Sequence, residues 1–152
     1  MPEKPRQNRS GKPMLRSMNR RVTSIYQRIS GMSKKILILT TRGRKSGLPR
    51  QTPLQYERVD DCYIVAAGWG KTSDWYRNAA ADPQVEIQIG QEHFCATAET
   101  VEDPQRIADF LSLRLKRHPL MVGLIMRLDG LPLFYNREDL LHFAAEKVML
   151  VI

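Results

Sequence analysis

Three patterns in this 152-residue chain predict an α+β fold in which about six mostly antiparallel strands curl into a small β-barrel flanked by helices. First, short β-branched or alternating apolar runs follow one another from Ile36 to Val101, with turn signals between them. Second, helix start and stop signals fall at the flanks of that stretch rather than regularly between its strands, which disfavours a parallel sheet. Third, the length and an apolar fraction of 42% fit one domain with a real core. At this strand count, closure into a barrel removes the open edges.

Each element has its own local reason. Residues 1–13 are polar, basic and Pro-containing, as in a disordered tail. Over residues 14–31, Leu15, Met18, Val22, Ile25, Tyr26 and Ile29 recur at helical spacing among arginines, giving a basic amphipathic helix at the start of a single domain over 14–152. Ile36–Thr41 is an apolar β-branched run, and Thr52, Leu54 and Tyr56 alternate with polar neighbours. Asp60-Asp61 marks a turn before a strand over Cys62–Ala67. After Gly68-Trp69-Gly70, Ser73 can cap a short helix over Asp74–Ala81 that stops before Pro83. Val85, Ile87 and Ile89 alternate, Gly90-Gln91 turns, and Phe94–Val101 alternates less cleanly. Asp103-Pro104 places an N-cap before a Pro at the first helical position, and that helix ends at His118-Pro119. Residues 120–136 suggest a short apolar helix, Arg137–Ala144 is helical, and Val148–Ile152 is a terminal strand.

Charge is distributed unevenly. Residues 1–50 carry 14 Lys/Arg against Glu3, and residues 51–152 carry 10 against 15 Asp/Glu, so a +13 head precedes a −5 body. Such a head favours phosphate-rich partners. No apolar run reaches the roughly 18–20 residues needed to span a bilayer. The polar start lacks the apolar core of a secretory signal, which points to a cytoplasmic protein. Cys62 and Cys95 stand apart from any His at metal-ligand spacing, and the three histidines suggest no metal site.

Two loops carry the candidate chemistry. In Gly43-Arg44-Lys45-Ser46-Gly47-Leu48-Pro49-Arg50, two glycines permit a tight turn that can aim backbone N–H groups at one point, while Arg44, Lys45 and Arg50 crowd positive charge there. That suits a phosphate or another anion. In Gly68-Trp69-Gly70-Lys71-Thr72-Ser73-Asp74-Trp75, glycines permit close backbone approach, Lys71 adds a cation, and hydroxyls sit at a helix N-terminus. Both tryptophans of the chain lie here. Trp69 between two glycines suits ligand contact as readily as a solvated loop, and Trp75 suits anchoring of the short helix better than a ligand wall. No nucleophile elbow, Cys–His pair or paired carboxylates appear, so catalytic side chains are unassigned and a bound cofactor would carry the chemistry.

The run ILILTTRGRKSGLPRQTPLQY, followed by YIVAAGWGKTSDWYRNAAADPQVEIQIG, resembles the deazaflavin-dependent nitroreductase family over roughly residues 36–117. The resemblance implies a split β-barrel related to flavin-binding oxidoreductases, and the deazaflavin coenzyme F-420. It implies hydride transfer to an electron-poor acceptor such as a quinone, nitroaromatic or enone. It also assigns Arg44, Lys45 and Arg50 to the phosphate and oligoglutamate tail, Gly68, Trp69 and Gly70 to the lining of the ring, and Trp75 to the support of that wall, with Ser46 and Lys71 completing the expected coenzyme-binding set. FMN is the near alternative, since its single phosphate could use Arg44 and Lys45. A different class is a non-catalytic module whose N-terminal arm binds nucleic acid or an anionic membrane, although nucleic acid is the less favoured partner. Weak membrane-surface contact through residues 14–31 and a homodimer are further expectations.

Overall fold

The structure, a computed structural model, describes residues 36–152. The expected basic tail and the amphipathic helix over 14–31 lie outside the described residues.

The first strand, β1 (Ile36–Arg42), pairs antiparallel with β2 (Pro49–Gln55) along its whole length, from Ile36↔Gln55 to Arg42↔Pro49. The turn that joins them is the basic loop. A brief β3 (Glu57–Val59) and β4 (Cys62–Ala67) form the next hairpin, turning through Asp60 at φ 53°. A single 3-10 turn (Gly70–Thr72) leads into helix α1 (Asp74–Ala81). Strands β5 (Gln84–Ile89), β6 (Glu92–Thr97) and β7 (Glu99–Val101) follow. Helices α2 (Pro104–Arg117), α3 (Pro119–Leu128) and α4 (Arg137–Ala145) precede the last strand, β8 (Val148–Val151).

The strands make two four-stranded antiparallel sheets, ordered β2-β1-β5-β6 and β3-β4-β8-β7. The chain passes from one sheet to the other at Tyr56 and again at Ala98, so two long ribbons are shared between the sheets and the barrel is split. Those bends explain why eight strands stand among the described residues where about six were expected. The run Phe94–Val101 divides at Ala98, whose N–H leaves the ladder to donate to the Pro83 carbonyl at 2.8 Å. The alternation through Tyr56 likewise breaks after Gln55.

Between the sheets lies a core in which Leu37, Leu39, Val65, Ile87, Val148 and Leu150 are fully buried. The central strand β1 is buried at every position from Leu37 to Thr41, because α1 packs against it as well as the facing sheet. That is why its first four residues, Ile36 to Leu39, are continuously apolar rather than alternating. A second core joins Ile107, Phe110, Leu111, Val122, Met126 and Leu140 to Met149, and so fixes α2, α3 and α4 to the second sheet.

One charged group crosses this packing. Glu57 on β3 is 3% exposed. Arg117 Nη1 donates to it at 3.1 Å, His118 Nε2 lies 2.9 Å away and Arg114 3.9 Å away. A buried carboxylate requires such partners. Here they come from the end of α2 and the junction with α3, so the cluster pins that junction to the barrel. Burial pushes the Arg114 guanidinium below its ordinary range, partly offset by Glu57.

Candidate functional site

The GRKSG loop closes on itself. Gly43 N–H donates to the Leu48 carbonyl at 2.8 Å and Gly47 N–H to the Gly43 carbonyl at 2.7 Å. Leu48 N–H reaches Ser46 Oγ at 3.3 Å. Two glycines are needed for different reasons. Gly47 sits at φ 67°, a conformation disfavoured by a β-carbon, and a β-carbon on Gly43 would meet Ser46 Oγ at 2.6 Å and the Leu48 carbonyl at 3.1 Å. The backbone N–H groups expected to face an anion are therefore largely spent inside the loop. Its exposed cations are what remain on offer. Lys45 and Arg50 are both exposed, with no carboxylate ion pair among the described residues.

Arg44 has a different position. Its Nη2 lies 2.9 Å from Asp74 Oδ1, and its Nη1 and backbone N–H both donate to Asn78 Oδ1, at 3.0 and 3.2 Å. Its side chain is only 24% exposed. Asn78, 4% exposed, turns its amide nitrogen to Thr41 Oγ1 on β1 at 3.3 Å. The two loops identified in the sequence are thus brought together, and Arg44 is the clamp between them. Neither Asp74 nor Asn78 was assigned a role from the sequence, although Asn78 closes the WY-x-N part of the motif and Asp74 stands directly before it.

The second loop divides as well. Gly70, at φ 57°, is packed so that a β-carbon would lie 2.6 Å from the Glu146 carbonyl, which makes it a structural glycine. A β-carbon on Gly68 would have nothing within 4 Å. Trp69 is 86% exposed, whereas Trp75 packs partly buried against the barrel core, edge-on to Tyr76. Lys71 is turned to Glu102, which also accepts from the Tyr76 hydroxyl at 3.0 Å. The Glu102 carboxyl is held below its usual range by those two donors. Burial, with the hydrogen bond to Glu102, pushes the Tyr76 hydroxyl up to about 12. Thr72 Oγ1 donates to the Trp69 carbonyl at 2.7 Å. Ser73 does occupy the N-cap of α1, but its hydroxyl makes no cap bond and is buried without a hydrogen-bond partner among the described residues. Lys147 ties this loop to the far helices, contacting the Gly68 carbonyl at 3.3 Å and Asp129 Oδ2 at 3.4 Å. Among the described residues no group of three or more His, Cys, Asp and Glu could hold a metal.

The arrangement is an open rim: one loop offers two exposed cations without a carboxylate ion pair among the described residues, the other a bare glycine backbone and an exposed indole, and the Arg44 clamp joins them. It suits a ligand with a flat ring at one end and anionic groups at the other. Two four-stranded antiparallel sheets that share their long ribbons define the class of this protein as a split β-barrel. The chain belongs to the F420H(2)-dependent quinone reductase family, whose profile matches residues 14–120. The resemblance carried by the GRKSG and WY-containing runs is thereby borne out. Over 81 residues the chain is 40% identical to an F420H(2)-dependent quinone reductase of Mycobacterium tuberculosis, covering 51% of this chain and 54% of that protein. This chain therefore spans about half the length of that relative. Among solved structures it is similar to an F420-H2 dependent reductase, with a TM-score of 0.53 at 25% identity over 78% of this chain and 94% of the other. A conserved hypothetical protein from Mycobacterium tuberculosis has the same fold, with a TM-score of 0.54 at 18% identity over 86% and 78%.

Proposed function

We propose that this chain is a cytoplasmic oxidoreductase that binds coenzyme F-420 at the rim between the GRKSG loop and the Gly68–Trp69 loop, and that it reduces a quinone. The observation that carries the reading is the clamp: Arg44, Asp74 and Asn78 hold the two halves of the family motif in one place. The residues present fit the coenzyme's chemistry. Lys45 and Arg50 are free among the described residues to hold phosphate and carboxylate groups, Ser46 adds a hydroxyl beside them, and the open face of Gly68 leaves room for a flat ring under Trp69. Arg44, already engaged, acts by fixing the loop, and Trp75 acts by fixing α1. Lys71 reaches an anion only by leaving Glu102.

When bound, the reduced deazaflavin supplies a hydride, which with one proton converts a quinone to a hydroquinone. The chain's residues contribute binding, orientation and exclusion of water. Tyr76 does not serve as the proton donor: its hydroxyl is buried, given to Glu102, and titrates only at about 12.

Titration of the full chain with coenzyme F-420, and separately with FMN, followed by tryptophan fluorescence, tests this. Micromolar quenching by the deazaflavin is expected. It should weaken roughly tenfold in Lys45→Ala and in Arg50→Ala, since a charge-assisted hydrogen bond contributes about 1.5–3 kcal/mol. Much of the signal should vanish in Trp69→Phe. Preference for FMN would replace the proposed donor, and no quenching by either would overturn the reading.

A further inference from the structure

Helix α3 is apolar on two sides. Val122 and Met126 face the second core, while Leu120, Leu124 and Leu128, one turn apart along a single stripe, are 89%, 59% and 80% exposed. Met121 and Ile125 border the stripe, and Phe134 beyond the helix is 91% exposed. Isolated exposed leucines need no explanation, but an unbroken stripe along one helix does. Its charges have one sign. Arg127 is the only charged residue between Pro119 and Leu128, and exposed Lys116 lies just before the helix. Neither forms an ion pair among the described residues, whereas the acid at the helix end, Asp129, is matched by Lys147.

We propose that this face docks on an anionic lipid surface, with the leucines entering the headgroup–acyl boundary and Lys116 and Arg127 meeting lipid phosphates. Charge complementarity favours lipid. Size argues against a second copy of the chain, because a ten-residue helix is about 15 Å long and presents far less than the roughly 800 Å² per partner of a stable dimer. The placement also serves the site. Lys147 bridges Asp129 at the end of α3 to the Gly68 carbonyl, so the stripe runs towards the loop that carries exposed Trp69. Docked in this way, the rim opens beside the layer in which a long-chain quinone is dissolved. That last step rests on the quinone-reductase reading, but lipid docking itself does not.

The test is co-sedimentation of the full chain, without coenzyme, with phosphatidylglycerol/phosphatidylcholine vesicles and with phosphatidylcholine alone. The variant Leu120→Gln/Leu124→Gln/Leu128→Gln should fold normally, because these side chains are exposed, and unchanged thermal unfolding checks that. Wild type should bind the anionic vesicles and the variant roughly tenfold or more weakly, the direction expected from removing buried apolar surface. Equal binding by the two proteins would overturn the proposal and move lipid affinity to the basic residues 1–35. Absence of binding by wild type would also overturn it, as would a wild-type dimer that the variant dissociates without any vesicle binding. A second readout separates this proposal from the parent reading. Reduction of a short-chain, water-soluble quinone should be the same in both proteins, while reduction of a long-chain quinone held in vesicles should fall in the variant. If wild type reduces neither quinone yet binds vesicles through the stripe, docking stands and the quinone reading fails.

Discussion

Asn78 matters more to the site than its place inside α1 suggests. Its amide oxygen accepts from two donors of Arg44 and its amide nitrogen donates to Thr41, so one buried side chain joins the basic loop, α1 and β1. Replacing it by Ala leaves a backbone N–H and a largely covered guanidinium short of partners, a loss of about 2 kcal/mol, or a Tm lower by roughly 5 °C. In Asn78→Ala the coenzyme should also bind more weakly, although Asn78 lies beneath the rim and offers it no free atom. Differential scanning fluorimetry and the fluorescence titration measure the two effects. Normal affinity in a destabilised variant would mean that Lys45 and Arg50 keep their positions without the clamp. This role was not legible in the sequence. Arg44 and Asn78 are 34 residues apart, and a pairing at that separation leaves no local periodicity to read. The cations themselves were legible, because a charge cluster between two glycines is a local pattern.

At the scale of elements, turns and caps were read well wherever one residue type forces them. Asp103 accepts from Gln105 N–H ahead of Pro104 as its sequence predicts, and α1 begins and ends at the expected residues. Helix α3 was legible only as an apolar stretch. With leucine or methionine on both its buried and its exposed face, it lacks the polar side that makes periodicity visible. The two glycines around Trp69 looked alike in sequence and differ in structure, which yields a paired prediction. Gly70→Ala must hold a β-carbon at φ 57° and within 2.6 Å of a carbonyl oxygen near the end of α4, so the 3-10 turn and α4 must separate. A cost of about 3 kcal/mol is expected. Gly68→Ala meets no neighbour and should change stability by less than about 0.5 kcal/mol. Its added methyl should nevertheless weaken coenzyme binding, since the open backbone is where the flat ring is proposed to lie. Thermal unfolding and titration of both variants check this. A Gly68→Ala protein that binds as tightly as wild type would move the ring elsewhere.

Across the whole molecule, two charged networks connect the parts that hydrophobic packing leaves separate. Glu57 binds the α2–α3 junction to β3, and Glu102 binds Lys71 and Tyr76, and thus the Trp69 loop and α1, to the chain leaving β7. The partners are 60 residues apart in the first network and 31 and 26 apart in the second, which is why neither could be read from local pattern. The second network has a titration signature. Tyr76 is 3% exposed, and its folded pKa of about 12 lies above the ordinary tyrosine value of 10.0 because burial, and then Glu102, oppose the phenolate. A group whose folded pKa is raised contributes its full stability below the unfolded pKa and loses it as pH rises through the folded one. Stability should therefore fall between about pH 10 and pH 12, by about 2–3 kcal/mol from this residue. In Tyr76→Phe the hydrogen bond to Glu102 is gone at neutral pH, at a cost of about 1 kcal/mol, but that part of the alkaline slope is gone too. Urea unfolding of both proteins at pH 8, 10 and 11.5 should give free-energy curves that converge as pH rises and cross at about pH 11, where wild type has lost the roughly 1 kcal/mol by which it starts ahead. Parallel curves would show that another group drives the alkaline transition. Convergence would mean that deprotonation of one buried hydroxyl releases Glu102 and Lys71 together, and with them the anchor of the loop that carries Trp69.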